Sequence, residues 1–122
     1  MKLSKYLFCY FTGNAPEEER VHFALSEDGY NFFALNNNEP VIKQTLGKKC
    51  CRDPYIFRDN DGFFHIIATD MRSADGWANN NSMVLWDSKV MVTTIPILWK
   101  RRHITMRLTQ FILLHLISLC GV

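Results

Sequence analysis

The residues with chemical potential crowd into one stretch, "CCRDPYIFRDNDGFFHIIATD", residues 50–70, which holds Asp53, Asp59, Asp61 and Asp70. Asp53 stands directly before Pro54 at the entrance to an aromatic-rich strand. Proline fixes its own φ and pushes the residue before it toward an extended conformation. A carboxylate aimed that way could face a pocket rather than wander in a loop. The competing reading is an Asx-type turn, or an ion pair with Arg52 or Arg58. Asp59 and Asp61 read as solvated turn residues. Their D-x-D-G spacing hints at a calcium loop, but the sequence lacks the distal Glu such a loop uses. Asp70 ends a strand and opens the polar loop "DMRSADGWANNN", long for a hairpin and hence a candidate binding element. Trp77 lies in this loop beside Asn79, Asn80 and Asn81. An indole can stack on the apolar face of a sugar while amides bond its hydroxyls. A plug over the sheet is the alternative for Trp77.

These residues need strands to position them. Runs rich in Phe, Ile, Val and Tyr predict strands over Tyr6–Thr12, Val21–Ser26, Asn31–Leu35, Pro54–Arg58, Phe63–Thr69 and Ser82–Trp86. Turn chemistry separates them, and Asp61-Gly62 is a strong hairpin signal. No useful helical period appears before residue 100. A weak repeat aligns "YLFCYFT" (6–12) with "FFHIIAT" (63–69), and "HFALSED" (22–28) with "MVLWDSK" (83–89). Successive propeller blades look like this, and so can unrelated strands.

Hydrophobic content of 48% and charged content of 21% in 122 residues fit a globular domain of ordinary size. The net charge of +2 hides an asymmetry. Residues 1–87 carry nine Lys/Arg and all twelve Asp/Glu, whereas residues 88–122 carry five Lys/Arg and no acid. The break predicts two parts, 1–89 and a basic, apolar tail over 90–122, the latter read as a frameshift or alternative terminus. The alternative is a genuine amphipathic helix over residues 100–119, with Ile104, Leu108, Phe111 and Leu114 on one side. The basic residues cluster only there, so nucleic-acid binding has weak support. No apolar run reaches membrane-spanning length, and no convincing signal peptide opens the chain. Cys9, Cys50, Cys51 and Cys120 have no zinc or redox spacing and read as ordinary thiols. His22 and His65 read as structural. No P-loop, GxSxG, HExxH or dinucleotide fingerprint occurs. No metal or cofactor is expected.

Taken in order, "YLFCYFTGN…EEERVHFALSEDGYNFFALNNNEPVI", "RDPYIFRDNDGFFHIIATDM" and "GWANNNSMVLWDSK" resemble the N-terminal part of glycoside hydrolase family 43, over about residues 5–89. The resemblance implies an all-β chain, about one and a half blades of a five-bladed β-propeller; the tail, read above as a helix in one alternative, lies outside it. It implies inverting hydrolysis of arabinofuranosyl or xylosyl bonds, with an arabinose- or xylose-containing oligosaccharide as partner. Asp53 matches the family's Asp-Pro general base, and Trp77, Asp70 and Asn79 are candidate substrate contacts. The family's general acid is a later Glu, yet no Glu follows Glu39. The expectation is therefore a truncated glycosidase without turnover, its open sheets aggregation-prone unless the tail covers them. A non-catalytic carbohydrate-binding fragment and a tail-mediated membrane or protein interaction are the alternatives, membrane contact being the weaker. Compartment and oligomeric state stay open.

Overall fold

The structure is a computed structural model that describes residues 5–78 and 80–89, and the backbone of 100–105. Seven strands form in chain order: β1 Tyr6–Tyr10, β2 His22–Ser26, β3 Phe33–Ala34, β4 Cys51–Arg58, β5 Phe64–Asp70, β6 Ser82–Ser88 and β7 Lys100–Thr105. They make two antiparallel sheets, β1-β2-β3 and β4-β5-β6-β7. The described chain is all-β, with two single 3-10 turns at Asn36–Asn38 and Ser73–Asp75 as its helical parts.

Period-two burial explains the pairing. Along β6, Ser82, Val84, Trp86 and Ser88 are buried while Met83, Leu85 and Asp87 are half-buried. On β5 the buried set is Ile66, Ala68 and Asp70. In register, Ile66 lies opposite Trp86 and Ala68 opposite Val84, so one face of the second sheet is a continuous apolar surface. That surface shares one core with Cys9, Val21, Phe23, Val41 and Ile42 from the first half of the chain. The two segments of the internal repeat fall on β1–β2 and β5–β6, each an antiparallel pair.

The turns supply their own partners. In the β4–β5 hairpin the Gly62 N–H donates to the Asp59 carbonyl (3.1 Å) and the Phe63 N–H donates to Asp59 Oδ1 (2.8 Å). Gly62 has φ +87°, which glycine adopts without the steric cost of a β-carbon. After β2, Asp28 Oδ1 accepts the N–H groups of Asn31 (2.8 Å) and Tyr30 (2.9 Å) and the Ser26 hydroxyl (2.9 Å). The Asn31 amide leads the hydrogen bonds that hold the Asp28 carboxyl well below the usual carboxylate range.

Residues 100–105 form a strand, not the helix offered as one alternative for the tail, and this strand is the edge of the second sheet beside β6. The strand therefore covers the β6 edge that a chain ending at 89 would leave open. The remainder of the proposed tail helix lies outside the described residues, as does Cys120. Cys9, Cys50 and Cys51 are buried free thiols, and burial pushes Cys9 and Cys51 each up to about 12.

His65 ties the β4–β5 turn to β6. Its Nδ1 donates to Asp87 Oδ1 at 2.7 Å and its Nε2 to Asp59 Oδ2 at 2.8 Å, so the arrangement fits a protonated ring. Asp59 is thus more than a solvated turn acid. Its bond to His65, followed by that from Asp87, raises the His65 pKa, and the same bond lowers that of Asp59. The His65 contribution to stability is fully present below its ordinary value of 6.5 and lost as pH rises through its higher folded value. The Asp59 contribution is present above its ordinary 3.8 and lost as pH falls through its lower folded value. The stability gap between wild type and His65→Gln should therefore be widest between these two ordinary values. A gap in urea-unfolding free energy that grows above neutral pH would contradict this.

Candidate functional site

Strand β4 does not run straight through Asp53. The register against β5 shifts between Arg52 and Tyr55, the mark of a β-bulge. Asp53 takes φ +51°, in the left-handed region, which corrects the extended conformation expected before Pro54. The proline disfavours the right-handed helical basin for the residue before it, and the bulge demands a turn of the chain. Asp tolerates the left-handed basin better than most residues. The side chain is exposed. Neither ion pair weighed from the sequence forms: Arg52 pairs with Glu19, while Arg58 Nε donates to the Gly62 carbonyl and its guanidinium lies over the Phe64 ring. A left-handed conformation at a non-glycine residue carries backbone strain. Asp53→Gly is accordingly expected to stabilise the fold by about 0.5–1 kcal/mol, read as a higher urea midpoint at unchanged slope.

Arg52, next to Asp53, organises the surrounding loops. Its side chain is 10% exposed and Glu19 is fully buried. The Arg52 Nη1 donates to Glu19 Oε1 (3.3 Å), Ser73 Oγ (2.8 Å) and Asn14 Oδ1. Glu19 Oε1 also accepts the Ser73 N–H (2.9 Å) and the Ser73 hydroxyl. The guanidinium carbon lies 4.5 Å from the centre of the Phe11 ring and 4.9 Å from that of Trp77. One cation thus ties the loop after β1, strand β4 and the β5–β6 loop together. The two ends of the β5–β6 loop are bridged where the sulfur of Met71, 1% exposed, accepts the Asn80 side-chain amide at 3.2 Å.

Trp77 rests on this cation and is 65% exposed. It covers Arg52 at the end of the sheet; the buried apolar core does not include it. Asp70 is buried at 3% exposure, where its Oδ1 accepts the Lys48 N–H at 2.8 Å. A β-carbon on Gly47, which has φ +55°, would sit 2.0 Å from Asp70 Oδ2. Asp70 therefore fastens the 46–49 turn to the end of β5. Asn79 lies outside the described residues. The bulge at Asp53 and Trp77 are thus linked through Arg52, while the Asp70 carboxylate bonds the Lys48 N–H and its backbone pairs with Cys51 of β4. Among the described residues no group of three His, Cys, Asp or Glu is arranged to hold a metal ion.

Sequence reasoning missed Glu19 and Arg52 as an organising pair. Glu19 sits in "PEEER", which reads as a charged turn, and its partners Arg52 and Ser73 are far along the chain. A local pattern carries no signal for such a contact.

The family model described as a probable glycosyl hydrolase domain, one related to glycoside hydrolase family 43, matches residues 2–107. Searches of curated proteins and of solved structures found no match.

Proposed function

Because the chain belongs to this glycosyl hydrolase family, we propose that it carries the general-base half of an inverting glycosidase site, with Asp53 as the base. The observation that carries this reading is the exposed carboxylate of Asp53 on a left-handed bulge of β4. Bulges beside active sites re-aim a side chain out of the ladder. In this role Asp53 takes a proton from the water that attacks the anomeric carbon, while the C–O bond on the opposite face breaks. The departing oxygen needs a proton from a second carboxyl group, about 6.5–9.5 Å from the base so that the water fits. The two sheets, sharing one core, are read as the first blades of a β-propeller. The substrate class is an arabinofuranosyl or xylosyl oligosaccharide, with Trp77 as a stacking surface and Asp70 and Asn79 as further candidate contacts.

The general acid has no later Glu to supply it within these 122 residues. No Glu follows Glu39. Glu19 is fully buried, with Oε1 already accepting bonds from Arg52 and Ser73, so it is poorly placed to protonate a bound glycoside. A missing acid–base group typically costs about 10²–10⁴ in rate. This chain should therefore bind the sugar without turning it over. The test is release of nitrophenol from aryl α-L-arabinofuranosides and β-D-xylosides by the purified protein. No release above background is expected. Robust turnover abolished by Asp53→Asn would show that the chain has an acid of its own.

The exposure of Trp77 favours a second reading, a purely carbohydrate-binding fragment in which Asp53 takes no part. Wild-type affinity for xylo-oligosaccharides in Asp53→Asn would favour it.

A further inference from the structure

Trp77 is well exposed, yet its orientation is not left to the loop. The Arg52 guanidinium covers it at 4.9 Å and also lies 4.5 Å from the centre of the Phe11 ring. The guanidinium is itself fixed by three hydrogen bonds through Nη1, to Asn14, Glu19 and Ser73. A planar cation on an aromatic face orients the ring as well as attracting it, which an ammonium group does not do. With one face on Arg52 and 65% of the residue still exposed, the indole can offer its other face to solvent.

We propose that Arg52 is a positioning residue that holds Trp77 as a stacking platform for a neutral sugar ring, beside Asp53. This rests on the carbohydrate reading given above. The neutrality of the ligand follows from Glu19, whose carboxylate faces the Arg52 charge at 3.3 Å and offsets it at the platform. The platform then selects for the apolar face of a ring and gives an anionic sugar little extra attraction. Ser73 ties the loop to the ion pair, because it bonds both of its members and stands four positions before Trp77.

The experiment titrates wild type, Trp77→Ala, Arg52→Lys and the double variant with xylotetraose and arabinotriose, followed by calorimetry and by the Trp77 indole N–H resonance. Lysine keeps a cation beside Glu19 but loses the planar guanidinium over the ring. Trp77→Ala should weaken binding about tenfold or more, the scale of a lost aromatic contact of about 1.4 kcal/mol. Arg52→Lys should weaken it several-fold, and should do nothing further in the Trp77→Ala background. Without sugar, the indole resonance should already shift in Arg52→Lys. Ser73→Ala, which removes one bond to the guanidinium, should shift it the same way by less and serves if Arg52→Lys does not fold.

If wild type binds neither sugar although the resonance shifts, the carbohydrate reading falls and the platform with it, while Arg52 remains the residue that orients the ring. If sugar binds and Trp77→Ala changes nothing, the carbohydrate reading stands and the platform is overturned. An unmoved resonance in both variants, or an Arg52→Lys loss that persists unchanged in the double variant, overturns the positioning role.

Discussion

Arg52→Met is expected to lower the unfolding free energy by about 3–5 kcal/mol, because it leaves the fully buried Glu19 carboxylate without its cation. The methionine keeps much of the apolar contact with Phe11 and Trp77, so the loss isolates charge from packing. The double variant Glu19→Leu, Arg52→Met should recover part of the loss, since removing both charges removes the uncompensated one. Recovery will be incomplete because the Ser73 N–H then loses the acceptor it has now. Urea unfolding of the four proteins as a double-mutant cycle measures this. A single variant as stable as wild type would mean that the burial of Glu19 does not depend on the Arg52 cation.

Trp86→Ala is expected to cost a similar amount, about 3–5 kcal/mol, through a different mechanism. Trp86 is 0% exposed and belongs to the one core that holds Ile66 and Val84 of its own sheet together with Phe23 and Cys9 of the other. Its removal leaves a cavity where the sheets meet. A domain of this size has about 5–15 kcal/mol in total, so either variant removes a large fraction of the whole. Trp86→Phe should cost much less. Among the described residues the indole N–H has no acceptor, so phenylalanine deletes a buried polar group together with some volume. Equal thermal midpoints for the Ala and Phe variants would show that the core closes around the gap.

The two losses also differ in what they should do to the site. Trp86→Ala weakens the junction of the sheets and should act on β1–β2 and β5–β6 together. Arg52→Met frees the β5–β6 loop and the strand that carries Asp53. Limited proteolysis in the loop over residues 71–81 should speed up more in Arg52→Met than in Trp86→Ala at matched stability. Equal cleavage rates would show that the ion pair adds nothing beyond global stability.

Strand positions were legible from runs rich in Phe, Ile, Val and Tyr set between Asn, Asp, Gly and Pro. Alternating burial is complete on β6, whereas β2 is buried at four of its five positions and β3 is exposed at both. The seventh, Lys100–Thr105, was obscured by a basic run that also fits a helix; its pairing with β6 decides the matter, and that contact is not local. Asp53 was visible from the Asp-Pro pair, but its left-handed conformation was not. Proline excludes one basin and leaves two, and only the bulge against β5 chooses between them. His65 gave no signal of its own, because its carboxylates arrive from the β4–β5 turn and from β6. Asp70 was picked for its place at the mouth of a long loop, and its buried bond to Lys48 depends on a turn 22 residues earlier.

The contact between Gly47 and Asp70 has an evolutionary side. A side chain at 47 would need the space that the Asp70 carboxylate occupies, and a backbone that L-residues rarely adopt. The two positions therefore cannot drift independently. A lineage that loses Asp70 to a smaller residue removes the steric bar at 47 while giving up the bond to Lys48; one that loses Gly47 first meets a clash. The order of substitution is constrained, and in related chains a non-glycine at 47 should be accompanied by a shortened residue at 70.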